Sequence, residues 1–178
     1  MSKNEDRELI KRAQSGDATA FEALANQYYE TMFRMAYKFC GNRPDAEDIT
    51  QESCIRLARG IHSFKGDSAF TSWLYRLVIN TGKDWYKSNN RHPKSDDGLE
   101  TVQVSAKGED QLYAKQVIAA VYELPEGERD ALLLVMSEGL SHKEAGQILG
   151  CKESTISWRI HEARKKLGAL FEKEQKYG

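Results

Sequence analysis

The sequence predicts an all-α fold: two small helical domains joined by a flexible linker, the C-terminal one a helix-turn-helix. Three observations carry that prediction. Apolar residues recur at helical spacing in several segments, each bounded by a capping residue or a glycine. Val, Ile and Thr are scattered rather than gathered into alternating runs, and only three prolines interrupt the 178 residues. Composition also shifts sharply at Asn89, after which Asn, Ser, Asp, Gly, Lys and Glu dominate to about Asp110. A stretch of about twenty such residues is too long for a loop inside a compact domain. The expected organisation is therefore a first domain over 1–91, a linker over 92–110 and a second domain over 111–178.

The first helix is expected from about Asn4 to Gln14, stopped by Ser15-Gly16. Gly16 suits the left-handed position beyond a helix end, and Asp17 can accept from the free N–H groups that open the next helix. That helix, from about Ala18 to Cys40, places Phe21, Leu24, Ala25, Tyr28, Met32, Met35, Ala36 and Phe39 at helical spacing, and Gly41 ends it. Near Pro44-Asp45 a third helix begins, with Asp45, Glu47 and Asp48 at the positive end of its dipole and Gly60 at its close. Ile49, Cys54, Leu57 and Ile61 can face inward from it. Beyond the loop from Ser63 to Asp67, Ser68 is expected to cap a fourth helix whose Phe70, Trp73, Leu74, Leu77 and Val78 share one face.

In the second domain a helix is expected from near Gln111 to Glu123, with a stop at Leu124-Pro125 and a further helix from about Glu126 to Glu138 before Gly139. Ser141-His142-Lys143-Glu144 has the form of a capping box, in which each side chain satisfies the other residue's backbone N–H. It opens a short helix, Lys143 to Leu149, which Gly150 turns into a last helix carrying Ile156, Ile160, Ala163, Leu167 and Leu170 inward.

A formal net charge of -1 does not advertise a nucleic-acid partner, but an average can conceal a basic face. Cys40, Cys54 and Cys151 lack a Cys-x-x-Cys spacing and make no zinc pattern with the four histidines, so they are expected to be free thiols in a reducing compartment. Met1 to Arg12 is charged almost throughout, unlike a signal peptide, and no apolar run approaches the ~20 residues that span a bilayer. A cytoplasmic protein without membrane insertion is expected. Gly41-Asn42 and Gly66-Asp67 are single-glycine turns, and there is no nucleophile–base pair or metal cluster. Neither catalysis nor a cofactor nor a metal is therefore expected.

A short capped helix, a glycine turn and a second amphipathic helix form a helix-turn-helix pattern. Ala145 falls where the two helices would approach closely, with Ile148 and Ile156 filling the space between them. The outward residues of the second helix are Ser154, Thr155, Ser157, Trp158, Arg159, His161, Glu162, Arg164, Lys165 and Lys166. Its four cations against Glu162 make it locally basic. Cations can meet phosphates, while hydroxyls, Arg and His near the helix start can meet base edges in the major groove.

Longer stretches carry a resemblance. Leu124-Pro125-Glu126 through Arg129, then Gly139 to Gly150, then Ser154-Thr155-Ile156 and Ala163-Arg164, closely resemble the fourth region of the extracytoplasmic-function sigma factors of bacteria. Tyr28-Tyr29, Asp45 to Glu52 and above all Phe64 to Arg76 resemble their second region. Both domains stand in the family's order, with the linker where the family has one. The resemblance implies a sigma factor that binds core RNA polymerase and directs promoter-specific initiation.

Carried over residue by residue, it implies that Asp45, Asp48, Gln51, Glu52 and Arg56 dock on the clamp helices of the polymerase's largest subunit. Phe64, Lys65, Gly66, Asp67 and Ser68 would hold a base flipped from the minus-ten element, which costs a few kcal/mol to extrude. Arg76, Asn80, Lys83, Asp84 and Lys87 would contact the same DNA further along that helix. Among the aromatics, Phe70 and Trp73 stand at core spacing, whereas Phe64 and Tyr75 are the candidates for melted DNA. Ser154, Thr155, Ser157, Trp158, Arg159, His161, Glu162, Arg164 and Lys165 would read the minus-thirty-five element.

Ser154, Ser157, Trp158, His161 and Glu162 depart from the family's usual residues, so the element read is expected to differ from the family's commonest one. Ala58 replaces a usual aromatic and is expected to alter packing only. The family also implies an anti-sigma factor or other inhibitory regulator as a partner. A free-standing helix-turn-helix regulator would leave the acidic helix and the Gly66-Asp67-Ser68 loop without a task; a decoy for an anti-sigma factor would have no need of the basic helix.

Overall fold

The computed structural model describes residues 3–90 and 109–177, with side chains over 6–90 and 116–169. The chain divides into two units, residues 1–92 and 93–178. The expected linker lies outside the described residues, except at its end, where Glu109 already opens a helix.

The described residues of unit one form the α-helices α1 (Lys3–Gln14), α2 (Ala18–Cys40), α3 (Arg43–Gly60) and α4 (Phe70–Ser88), with a short 3-10 turn over Ile61–Ser63. Gly16, at φ 89°, makes the corner after α1, and Asp17 caps α2 by accepting from the Ala20 N–H at 3.0 Å. Gly41, at φ 81°, ends α2 as the apolar spacing predicts. Leu24, Met32, Met35, Phe39, Ile49, Leu57, Leu74 and Val78 fill the core. Where α4 crosses α2 only glycine fits: a Cβ on Gly82 would stand 2.6 Å from the Phe39 ring.

α3 begins near Pro44 as expected, with Pro44 in its first turn and Asn42 as its cap, the Asn42 Oδ1 accepting from the Asp45 N–H at 2.9 Å. One local expectation fails here. Ser68 does not cap α4: the helix starts at Phe70 from Ala69, which offers no side-chain acceptor, and Ser68 stays exposed in the loop. A second family of contacts explains why the helix can do without that cap, since Phe70 is buried against Tyr28 and Phe64 at centroid distances of 5.1 Å each.

Cys40 lies in this core, its thiol donating to the Asn42 carbonyl at 3.1 Å. Burial pushes that thiol up to about 12, and burial together with Asp6 does the same to the Tyr28 phenol. Both groups must stay protonated while folded. The stability they lend is therefore complete below their ordinary values and is lost as pH rises towards 12. At pH 8, native Cys40 is expected to react with iodoacetamide far more slowly than the half-buried Cys54 and Cys151. Equal rates, read by mass spectrometry, would contradict its burial.

Unit two comprises α5 (Glu109–Tyr122), α6 (Glu126–Leu132), α7 (His142–Leu149) and α8 (Glu153–Tyr177). The helix expected to run to Glu138 instead widens into a π turn over Leu133–Ser137. The capping box forms: Ser141 Oγ accepts from the Glu144 N–H at 3.2 Å, and Glu144 Oε2 accepts from the Ser141 N–H at 2.9 Å. The Ser141 hydroxyl, donating to Glu144 Oε2 at 2.7 Å, and then the Ser141 N–H hold the Glu144 carboxyl below its ordinary range. Ala131, Leu134, Ala145, Ile148, Ile156, Ile160 and Ala163 are buried between the helices. The Leu170 side chain lies outside the described residues.

Ala145 is fully buried, and the residue after it, Gly146, packs closely against the turn. A Cβ on Gly146 would come within 2.8 Å of the Cys151 carbonyl oxygen. Gly150, at φ 66°, then supplies the left-handed turn that swings α8 across α7.

Candidate nucleic-acid and docking interfaces

On α3, positions 48, 51, 52, 55 and 56 share one face because a helix repeats every three to four residues. Asp48 and Gln51 are exposed, and Glu52 and Arg56 half-buried. Arg56 is not a loose cation. Its Nε donates to Glu52 at 3.0 Å and its Nη1 to Asp84 of α4 at 2.6 Å. The face therefore presents Asp48 as its least engaged charge. With Ile55, Asp84, Trp85 and Ser88 these residues line an open groove of about 450 Å3. Ile55 is 47% exposed, unusual for isoleucine, and neither it nor Trp85 was among the residues expected to dock.

Asp45 does not belong to that face. Only 4% exposed, it accepts from the Asn42 amide at 3.0 Å and from the Tyr86 hydroxyl at 2.9 Å. The acid belongs to the scaffold that joins α3 to α4.

The segment that follows has two parts. Phe64 is half-buried: its ring meets Phe70 edge-on at 5.1 Å and lies 5.8 Å from Trp73, which stacks on Phe70 at 5.7 Å. The expected core role of Phe70 holds, and Phe64 joins that cluster as the anchor of the loop. Beyond it, Lys65, Gly66, Asp67 and Ser68 are all exposed, with Gly66 at φ 81°. Along α4, Arg76, Asn80, Lys83 and Lys87 form one stripe, Lys83 half-buried and the others exposed. Tyr75 is half-buried and stands about a quarter turn from that stripe. Asp84, expected to share the DNA side, instead pairs with Arg56 beside the groove.

In unit two, Ser154, Ser157, Trp158, His161, Arg164 and Lys165 are exposed, while Thr155 and Glu162 are half-buried. Trp158 is 58% exposed, so burial in the core does not account for its presence on α8. Ser157 is held across the turn: its hydroxyl donates to the Glu153 carbonyl at 3.2 Å, which leaves a lone pair 2.8 Å from His142 Nδ1.

Arg159 departs from the outward expectation. Its guanidinium lies over Gly127, where an added Cβ would come within 2.9 Å of Cζ, and Nη1 reaches Cys151 Sγ at 3.7 Å. Lys166 stays exposed but is paired with the buried Glu128 at 2.5 Å. Arg164 reaches Met136 Sδ at 3.4 Å and remains exposed with Lys165. The cationic face is thus narrower than the sequence count implies.

Residues 24–92 match the family description Sigma-70 region 2, and residues 114–167 match Sigma-70, region 4. The chain is 31% identical to an RNA polymerase sigma-H factor of Pseudomonas aeruginosa over 92% of each protein. It is 32% identical to an ECF RNA polymerase sigma-E factor of Haemophilus influenzae, over 89% of this chain and 91% of that one. Among solved structures, CnrH in complex with the cytosolic domain of CnrY aligns with TM-score 0.69 and 26% identity, covering 94% of this chain and 97% of that one. The sigma factor RpoE of Bartonella quintana, in complex with the anti-sigma factor NepR, aligns with TM-score 0.65 and 22% identity over 85% of this chain and 96% of that one, a likeness of fold.

Proposed function

The chain belongs to the extracytoplasmic-function group of the sigma-70 family, and from that membership we propose how its surfaces divide the work of transcription initiation. It is a sigma factor that directs RNA polymerase to promoters. Asp48, Gln51 and Glu52, with Ile55 and Trp85 in the groove and Arg56 bracing it, dock core polymerase. Lys65 to Ser68 hold an extruded minus-ten base, with Phe64 anchoring the loop. Arg76, Asn80, Lys83 and Lys87 follow the same strand, and Tyr75 borders them. Ser154, Thr155, Ser157, Trp158, His161 and Glu162 read the minus-thirty-five element, while Arg164 and Lys165 meet its phosphates. Arg159 braces the helix-turn-helix from within. The protein acts in the cytoplasm, has no catalytic reaction of its own, and is held inactive by an anti-sigma factor or comparable regulator.

One observation carries this division: unit one turns an acidic, partly apolar groove to one side of the α3–α4 pair and a cationic stripe along α4. A free-standing regulator would need neither. No helix among the described residues is long and apolar enough to cross a membrane.

Selection from random DNA by the reconstituted holoenzyme tests the upstream assignment. The expected element differs from the family's commonest one. Trp158→Ala is expected to change which base is preferred, whereas Lys165→Ala should weaken every sequence alike and lower the salt slope by about one. Recovery of the commonest element, or an unchanged preference without Trp158, would overturn it.

A further inference from the structure

We propose that Gln14, the last residue of α1, is a positioning residue that sets the minus-ten loop for base capture. This inference rests on the loop's role given above, and it assigns a task to a helix that precedes the residues matching region 2, which start at 24.

The side chain of Gln14 reaches across to the segment before the loop. Its Nε2 donates to the Ile61 carbonyl at 3.0 Å and to the Phe64 carbonyl at 2.8 Å. Both partners are acceptors, so only the amide nitrogen, with its two N–H bonds, can face them. The Ile61 carbonyl also accepts from the Phe64 N–H at 3.1 Å. Phe64 is thus gripped at its carbonyl by α1 and at its ring by Phe70 and Trp73. The exposed residues 65–69 begin directly after that grip.

The bracket that holds Gln14 is itself fixed. Ile10 and Ala13 are buried, and Asp6 accepts from Tyr28 at 2.9 Å and from Gln27 at 2.6 Å. At the corner, Arg12 pairs with the capping residue Asp17 at 2.6 Å. A pocket for an extruded base must offset the loss of stacking, and it does so only if its walls are already in place. Gln14 supplies that pre-organisation at the loop's first residue.

The test uses full-length protein in holoenzyme and a single-stranded oligonucleotide carrying the minus-ten element that the holoenzyme selects from random duplex. Gln14→Glu sets a carboxylate against two carbonyl oxygens. It is expected to lower oligonucleotide affinity by roughly tenfold or more, on the scale of two lost hydrogen bonds, with core affinity unchanged. Gln14→Lys, which keeps N–H donors at similar reach, is expected to bind within about threefold of wild type. Wild-type affinity in Gln14→Glu would overturn the inference. So would an equal loss in Gln14→Lys, or a parallel loss of core affinity, which would mark a general weakening of the fold. A wild-type holoenzyme that captures no strand would overturn the loop's role as well.

Discussion

Asp48→Arg is expected to reduce affinity for core polymerase by on the order of a hundredfold, the scale of a reversed charge at a docking surface. The residue is exposed on α3 and borders the groove that carries Ile55 and Trp85. Its neighbouring cation is already committed, because Arg56 pairs with both Glu52 and Asp84. An arginine at position 48 would put an unmatched cation at the rim of an otherwise acidic face. Stability should change by only about 0.5 kcal/mol, as for most exposed substitutions.

Asp45→Ala provides the contrast. It removes the acceptor for Asn42 and Tyr86 inside the unit, and should destabilise the fold by about 2 kcal/mol or more. Binding titrations beside thermal melts separate the two. Loss of stability in Asp48→Arg, with core affinity intact, would remove α3 from the interface.

Gly146→Val should abolish recognition of the upstream element while leaving core binding in place. A Cβ there stands 2.8 Å from the Cys151 carbonyl oxygen, and that neighbour is backbone, so the turn itself has to move. Overpacking of this kind costs about 1–3 kcal/mol, and the displaced turn carries the start of α8. Gly168→Ala is the control: it lies further along α8, where nothing stands within 4 Å of its Cβ, and alanine favours the helix by about 1 kcal/mol. Equal binding by wild type and Gly146→Val would show that the turn tolerates what its geometry forbids.

The residues that act through local rules could be read directly from the chain. Asp17 caps α2, Gly41 ends it, and Ser141 with Glu144 closes the capping box, because each of these needs only neighbours a few positions away. Family resemblance then supplied the tasks proposed for α3, the loop and α8. What escaped depends on distant partners. Asp45 reads as a helix-start acid until Tyr86, 41 positions on, is seen to donate to it. Arg159 reads as an outward residue of α8, whereas its guanidinium lies over Gly127. Ser68 fits a capping pattern, yet α4 begins where Phe70 packs rather than where a hydroxyl stands. Gln14 gave no signal at all, since its acceptors are backbone carbonyls 47 and 50 residues away.

Run-off transcription with purified core polymerase and a library of promoter fragments tests the central claim most directly. Discrete transcripts that require this protein, and that vanish with Asp48→Arg and with Gly146→Val, are the predicted result. Binding to core without any promoter-specific transcript, or no binding to core at all, would contradict it.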